Sequence, residues 1–270
     1  MNQKAIGVFD SGLGGLTAVR EMLRILPDED IVYFGDTGRV PYGSKSNDTI
    51  TKYALQDARF LRRMGVKMII AACGTVSSVA PDLSGELGVP YTGVVYPTCF
   101  SAVQATRSGR IGVIGTAATI ASHSYKNRIQ KKHPEFTVIE QACPLFVPLV
   151  ENGMTDPSDE IVRLTVERYL GVMHENDVDT IILGCTHYPL LADAIAREMG
   201  GGVTLIDSGK ETALYTKKIL AEQGLLRPEG SGSEQRYYVS DTPADFEKYA
   251  GIFLKRNIDH QVQQINIEEY

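Results

Sequence analysis

The sequence predicts an α/β protein made of two similar lobes with mostly parallel sheets, related by pseudo-symmetry, with a site in the cleft between them. Three observations predict it. Short β-branched apolar runs alternate with amphipathic stretches at helical spacing, the pattern of a parallel sheet covered by helices. The pattern then starts over, because Ile111-Gly112-Val113-Ile114-Gly115-Thr116 echoes Ile6-Gly7-Val8-Phe9-Asp10-Ser11. Finally, two buried-type strands, from Val66 and from Val178, each end in a cysteine with a threonine close behind, as Cys73-Gly74-Thr75 and Cys185-Thr186-His187. Ile6 to Cys73 spans 67 residues and Ile111 to Cys185 spans 74, close enough for two copies of one unit with drift in loop length.

Ile6–Phe9 reads as a short strand and Asp10-Ser11-Gly12-Leu13-Gly14-Gly15 as the turn after it. Leu16, Val19, Leu23 and Leu26 then recur at helical spacing up to Pro27. The glycines do not follow the dinucleotide order and no P-loop lysine follows, so no nucleotide cofactor is expected. They suit backbone N–H groups approaching a small anion at a helix start. Ile31–Phe34 is the second strand, followed by Gly35-Asp36-Thr37 and the loop Val40-Pro41-Tyr42-Gly43-Ser44. Asn47 or Asp48 is the expected cap of the next helix, which Gly65 stops. After the first cysteine strand come a helix broken at Pro81 and a strand from Tyr91 to Tyr96. The second copy follows. A helix from about Lys210 to Glu222, a flexible Arg227–Ser233 connection, a strand from Arg236 to Ser240 and a helix from about Ala244 to Lys255 close the chain. The expected division is residues 1–96 with 209–270 in the first lobe and 97–208 in the second.

In open α/β sheets ligands bind at the carboxyl ends of the strands, so a thiol that ends a strand is placed for chemistry. Two such thiols, Cys73 and Cys185, facing each other across a cleft can take a proton from one face of a carbon and return one to the other. That sequence inverts the carbon. One sulfur must be thiolate while its partner is thiol, which suits a group with a reference pKa of about 8.5. Asp10 is expected to hydrogen-bond or polarise Cys73, His187 to exchange a proton with Cys185, and Glu151 to orient His187. Tyr42, in a loop between Pro41 and Gly43, is expected to touch ligand. Cys99 and Cys143 end no well-formed strand and read as core thiols, and Lys131-Lys132-His133 reads as a solvated helix end.

Composition narrows the function further. The 270 residues carry a net charge of −6, which argues against nucleic acid as a partner. No apolar run is long enough to span a bilayer, and the amino terminus runs straight into a strand, so a cytoplasmic protein without membrane contact is expected. Four scattered cysteines and five histidines, at 123, 133, 174, 187 and 260, show no ligand spacing, so neither disulfides nor a metal site is expected.

Asp10-Ser11-Gly12-Leu13-Gly14-Gly15-Leu16, Gly35-Asp36-Thr37 through Pro41-Tyr42-Gly43, and Leu183-Gly184-Cys185-Thr186-His187-Tyr188-Pro189-Leu190 together closely resemble the glutamate racemase family, from about Lys4 to Gly209. The resemblance implies a cofactor-independent enzyme that interconverts L- and D-glutamate and supplies D-glutamate for peptidoglycan. By its pattern Cys73 and Cys185 are the acid/base pair, with Asp10, Glu151 and His187 assisting. Asp10, Ser11, Tyr42, Gly43, Gly74, Thr75, Thr186 and His187 hold the substrate. One position departs from the pattern: the family usually has Asn after the first cysteine, and this chain has Gly74. Losing a hydrogen bond to a charged group typically costs about 1.5–3 kcal/mol, so substrate affinity or preference is where a difference is expected. A racemase for a related acid such as aspartate, and a non-catalytic binder of an acidic metabolite, are the competing readings. A homodimer is the expected assembly.

Overall fold

The computed structural model describes residues 3–258 and 260–270. Ten strands run through it: β1 (Ile6–Asp10), β2 (Ile31–Gly35), β3 (Met68–Ala71), β4 (Tyr91–Gly93), β5 (Arg110–Gly115), β6 (Thr137–Ala142), β7 (Thr180–Leu183), β8 (Thr204–Asp207), β9 (Gln235–Val239) and β10 (Val262–Gln264). They form a six-stranded sheet ordered β10-β9-β2-β1-β3-β4 and a four-stranded sheet ordered β6-β5-β7-β8. Every pairing is parallel. The central strands β1, β3, β5 and β7 are apolar runs because both of their faces are covered.

The four strands β2-β1-β3-β4 have the same order as β6-β5-β7-β8, strand for strand, so the two sheets are copies of one topology. In each copy the chain leaves the first strand to one side, then returns to pair on the other. That reversal opens a crevice at the carboxyl ends of β1 and β3 in one lobe and of β5 and β7 in the other. Cys73 lies just beyond β3 and Cys185 just beyond β7. The shared topology therefore puts the two thiols in equivalent places.

One apolar core runs across both lobes, with Ile6, Val8 and Ile70 of the first sheet joined to Ile114, Ile181 and Leu183 of the second. The outer face of each sheet has its own core, around Phe34, Phe60 and Leu61 in the first and around Val113, Tyr125 and Ile182 in the second. The helix Ser208–Glu222 packs on both Leu16–Ile25 and Val95–Ala105. A Cβ at Gly209 would stand 3.0 Å from Ala18 Cα, so a glycine is what lets these helices approach.

Three local expectations are corrected. The strand expected over Tyr91–Tyr96 ends at Gly93, and a helix runs from Val95 to Ala105. Pro97 is the third residue of that helix, in the first turn, where its missing N–H has no partner to lose. The β-branched Val94 and Val95 suit either state, and burial in the second lobe decides. The helix Asn47–Arg63 is capped by Ser46, which accepts from the Thr49 N–H, and not by Asn47 or Asp48. The turn after β1 is corrected in the next subsection. Among the described residues no helix is long and apolar enough to cross a membrane.

Candidate active site

Cys73 and Cys185 are both buried free thiols at the seam between the lobes. The seam is tight there. A Cβ on Gly74 would lie 2.2 Å from the carbonyl oxygen of Gly184, the residue before Cys185. A Cβ on Gly14 would lie 2.3 Å from Thr186 Oγ1 and 2.5 Å from His187 Nδ1. Thr17 Oγ1 donates across the seam to the Thr186 carbonyl at 2.8 Å. Only glycines let the two strand ends meet this closely.

The thiols sit in different surroundings. Cys73 Sγ contacts Ser11 Oγ at 3.5 Å. Burial, and then the nearby charge of Asp10, push its pKa up to about 12, so it holds its proton at neutral pH. Cys185 Sγ lies 3.8 Å from His187 Nδ1, and His187 Nε2 lies 3.1 Å from Glu151 Oε1. The His187 ring also stands edge-on to Phe253, with centroids 5.3 Å apart. Burial alone would lower the His187 pKa, but the hydrogen bonds to Cys185 and Glu151, with the charges of Cys185 and Asp10, lift it to about 10. The imidazole is therefore charged at neutral pH, beside one sulfur only.

The Asp10 turn is built differently from the expectation. Its N–H groups do not wait for an external anion, because Gly12 N–H donates to Asp10 Oδ2 at 3.1 Å, and Gly15 and Ser11 N–H also stabilise that carboxylate. The anion at this helix start is the chain's own Asp10. Burial nevertheless keeps the Asp10 pKa above its ordinary value. Asp10 influences Cys73 and His187 through its charge, while the hydrogen-bonding partner of Cys73 is Ser11.

Tyr42 is turned inward. Its side chain is buried in the first lobe, and its hydroxyl is taken by Asp36 and Asp57. Gly43 stands at the seam, where a Cβ would lie 3.5 Å from Thr116 Oγ1 of the second lobe and 3.8 Å from Thr75 Oγ1 of the first. Thr75, Thr116 and Thr119 form a run of hydroxyls, with Oγ1 atoms 3.2 and 3.0 Å apart. Thr116 and Thr119 were not among the expected site residues. The internal repeat holds the signal for Thr116, which stands after β5 as Ser11 stands after β1. Cys99 and Cys143 are buried and donate to the Tyr125 and Gln141 carbonyls, as core thiols do.

Two thiols, one beside a charged imidazole and one holding its proton, with the hydroxyls of Ser11, Thr75 and Thr186 at the same seam, can move a proton on a small anion. Residues 6–216 match the model of the Asp/Glu/hydantoin racemase family. The chain belongs to that family. It is 46% identical over 269 residues to the glutamate racemase of Geobacter metallireducens, covering 99% of this chain and 98% of that one. The crystal structure of a glutamate racemase isoform from Bacillus anthracis superposes with a TM-score of 0.92 at 35% identity, covering 98% of each chain. The glutamate racemase of Francisella tularensis in complex with D-glutamate gives 0.91 at 39% identity, covering all of both chains. This racemase-family chain is thus an amino-acid racemase, an isomerase, with the family's two-lobed α/β fold.

The histidine yields a pH prediction. Its pKa is raised from the ordinary 6.5 to about 10, so its contribution to stability is complete below pH 6.5 and is lost as pH rises through 10. Glu151→Gln removes one of the groups that raise it. The variant should lose stability at lower pH than the parent, and the alkaline limb of its activity should move the same way. Thermal midpoints and kcat between pH 7 and 10 check this, and superimposable profiles would show that Glu151 does not support the imidazolium.

Proposed function

We propose that this chain is a glutamate racemase that interconverts L- and D-glutamate without a cofactor, with Cys73 and Cys185 as its two acid/base groups. The observation that carries the reading is the meeting of two equivalent strand ends, each with its thiol, at the Gly74–Gly184 contact. In one direction the proton shared by Cys185 and His187 sits on the imidazole, and the Cys185 sulfur removes the α-proton. Cys73, which holds its own proton, delivers it to the opposite face. The other direction exchanges the roles: it starts from the state in which this one ends, with Cys73 as thiolate and the transferred proton on Cys185, and it returns a proton to Cys73.

Glu151 and Asp10 hold charge near the imidazolium, so the pair can lend and recover a proton without separating bare charges. The glutamate carboxylates meet the hydroxyls of Ser11, Thr75 and Thr186 and the backbone N–H groups around Gly43 and Gly74. The relatives named glutamate racemase, one of them solved with D-glutamate, support this substrate. With it go supply of D-glutamate for peptidoglycan, a cytoplasmic location, a homodimer, and the division into residues 1–96 with 209–270 and 97–208.

The test uses purified protein with no added cofactor or metal. L- and D-glutamate, incubated separately in deuterated buffer, should each lose optical rotation and gain deuterium at the α-carbon. L- and D-aspartate run in parallel should react at least about tenfold more slowly. Inversion of aspartate alone would make it an aspartate racemase, and saturable glutamate binding without exchange would make it a binding protein.

A further inference from the structure

Two buried carboxyl groups, Asp36 and Asp57, and the partly buried Arg39, none of them used by the two-thiol chemistry, gather around the buried Tyr42 hydroxyl behind the Tyr42–Gly43 segment. Asp36 follows β2, and its N–H donates to the Asp10 carbonyl at 3.0 Å. Its Oδ1 accepts from Ser240 Oγ at 2.7 Å, while its Oδ2 accepts from Arg39 Nε at 2.6 Å and meets the Tyr42 hydroxyl. Asp57, on the helix Asn47–Arg63, accepts from Arg39 Nη2 at 3.0 Å through Oδ1, and its Oδ2 lies 3.1 Å from the same Tyr42 hydroxyl. Arg39 Nη1 donates to Gln56 Oε1 at 2.6 Å and to Glu268 Oε1 at 3.3 Å, and the guanidinium covers the Tyr53 ring at 4.0 Å.

Counting protons orders this cluster. A phenol has one hydrogen, yet the Tyr42 oxygen meets two carboxyl groups. It can donate to only one. Asp36 already accepts from Arg39 and Ser240, which marks it as the ionised partner. Asp57 then approaches the Tyr42 oxygen as a carboxylic acid that donates. Burial, followed by the charge of Asp36, drives the Asp57 pKa well above the usual carboxylate range, in the same direction. The chain of bonds runs from protonated Asp57 through Tyr42 to ionised Asp36, and Arg39 neutralises it.

We propose that this proton-sharing clamp fixes where the Tyr42–Gly43 backbone stands against the substrate, with Asp36 and Arg39 as positioning residues and Asp57 as a neutral donor. The proposal rests on the racemase reading above. Its reach extends to the chain's last residues, because Glu268 closes the far side of Arg39 and Ser240, which accepts from the Gly38 N–H at 2.8 Å, holds the loop's start.

Two near-isosteric variants separate the roles. Asp57→Asn presents an oxygen to Arg39 and an N–H to Tyr42, as the acid does, so its KM for glutamate should stay within about twofold of the parent. Asp36→Asn can keep an oxygen toward Arg39 and Tyr42 and turn its N–H toward the Ser240 hydroxyl, but it removes the negative charge that holds the Arg39 guanidinium, so its KM should rise about tenfold or more while kcat at saturation stays within about threefold. Equal KM effects in the two variants would overturn the proposal. So would an Asp36→Asn protein that loses kcat and thermal stability with KM unchanged, because that is loss of folded protein rather than of position. Infrared difference spectra of parent minus Asp57→Asn supply a readout without turnover. A protonated carboxyl stretch at neutral pH is expected, and its absence refutes the arrangement whether or not the parent racemises glutamate.

Discussion

Cys73→Ala and Cys185→Ala should each abolish racemisation, with kcat falling by at least about a thousandfold, because a positioned proton donor or acceptor contributes about 10²–10⁴-fold and neither thiol has a substitute. The carboxylate of Asp10 is tied to Gly12 N–H, and His187 is on the Cys185 side, so neither replaces a missing thiol. The variants should differ in one respect. Cys73→Ala keeps the sulfur beside the charged imidazole, so it should still exchange the α-hydrogen of one enantiomer with deuterium, without inversion. Cys185→Ala keeps only a thiol whose pKa is pushed up to about 12, and at neutral pH it should exchange far more slowly. Mass spectrometry of each enantiomer separates exchange from inversion. Racemisation at the parent rate in either variant would end the two-thiol account.

The contrast between the thiols shows which features the sequence makes legible. The strand ends and the duplicated topology are local patterns, apolar runs that stop and a motif that recurs, so Cys73, Cys185 and their equivalence are readable directly. The Cys185–His187–Glu151 line follows from a two-residue spacing and one apolar stretch. Side-chain direction is another matter. Tyr42 lies in a loop rich in turn residues, yet its ring points into the first lobe because Asp36 and Asp57 wait there, one from a strand end and one from a helix. No local pattern joins those three positions. The Asp10 turn misleads for a similar reason: N–H groups at a helix start attract an anion, and the nearest one is on the chain itself. Contacts across the seam, such as Thr75 with Thr116, exist only once both lobes are placed.

Gly74 belongs to that last group, and its replacement should have the other large effect. Taken as a residue missing from the family's pattern, it suggests that Gly74→Asn would restore a hydrogen bond and improve the enzyme. The geometry gives the opposite expectation. A Cβ at 74 would lie 2.2 Å from the Gly184 oxygen and 3.3 Å from its carbonyl carbon. Gly184 has nowhere to retreat: its N–H is bonded to the Ile114 carbonyl at 2.8 Å, and a Cβ built on it would meet Ile114 O at 2.7 Å and the Tyr125 ring at 3.4 Å. Relief requires the lobes to part, which draws Cys73 away from Cys185. A misplacement of about 1 Å can cost about a hundredfold in rate, and overpacking typically costs about 1–3 kcal/mol. Because the clash is at the first side-chain atom, Gly74→Ala and Gly74→Asn should lose activity to the same degree, about a hundredfold in kcat/KM, with lowered thermal midpoints. If Asn is harmless or beneficial while Ala is damaging, the amide outweighs the clash. The lobes then separate more readily than the Gly74–Gly184 contact implies, and the fixed spacing of the two sulfurs is lost as an explanation of rate.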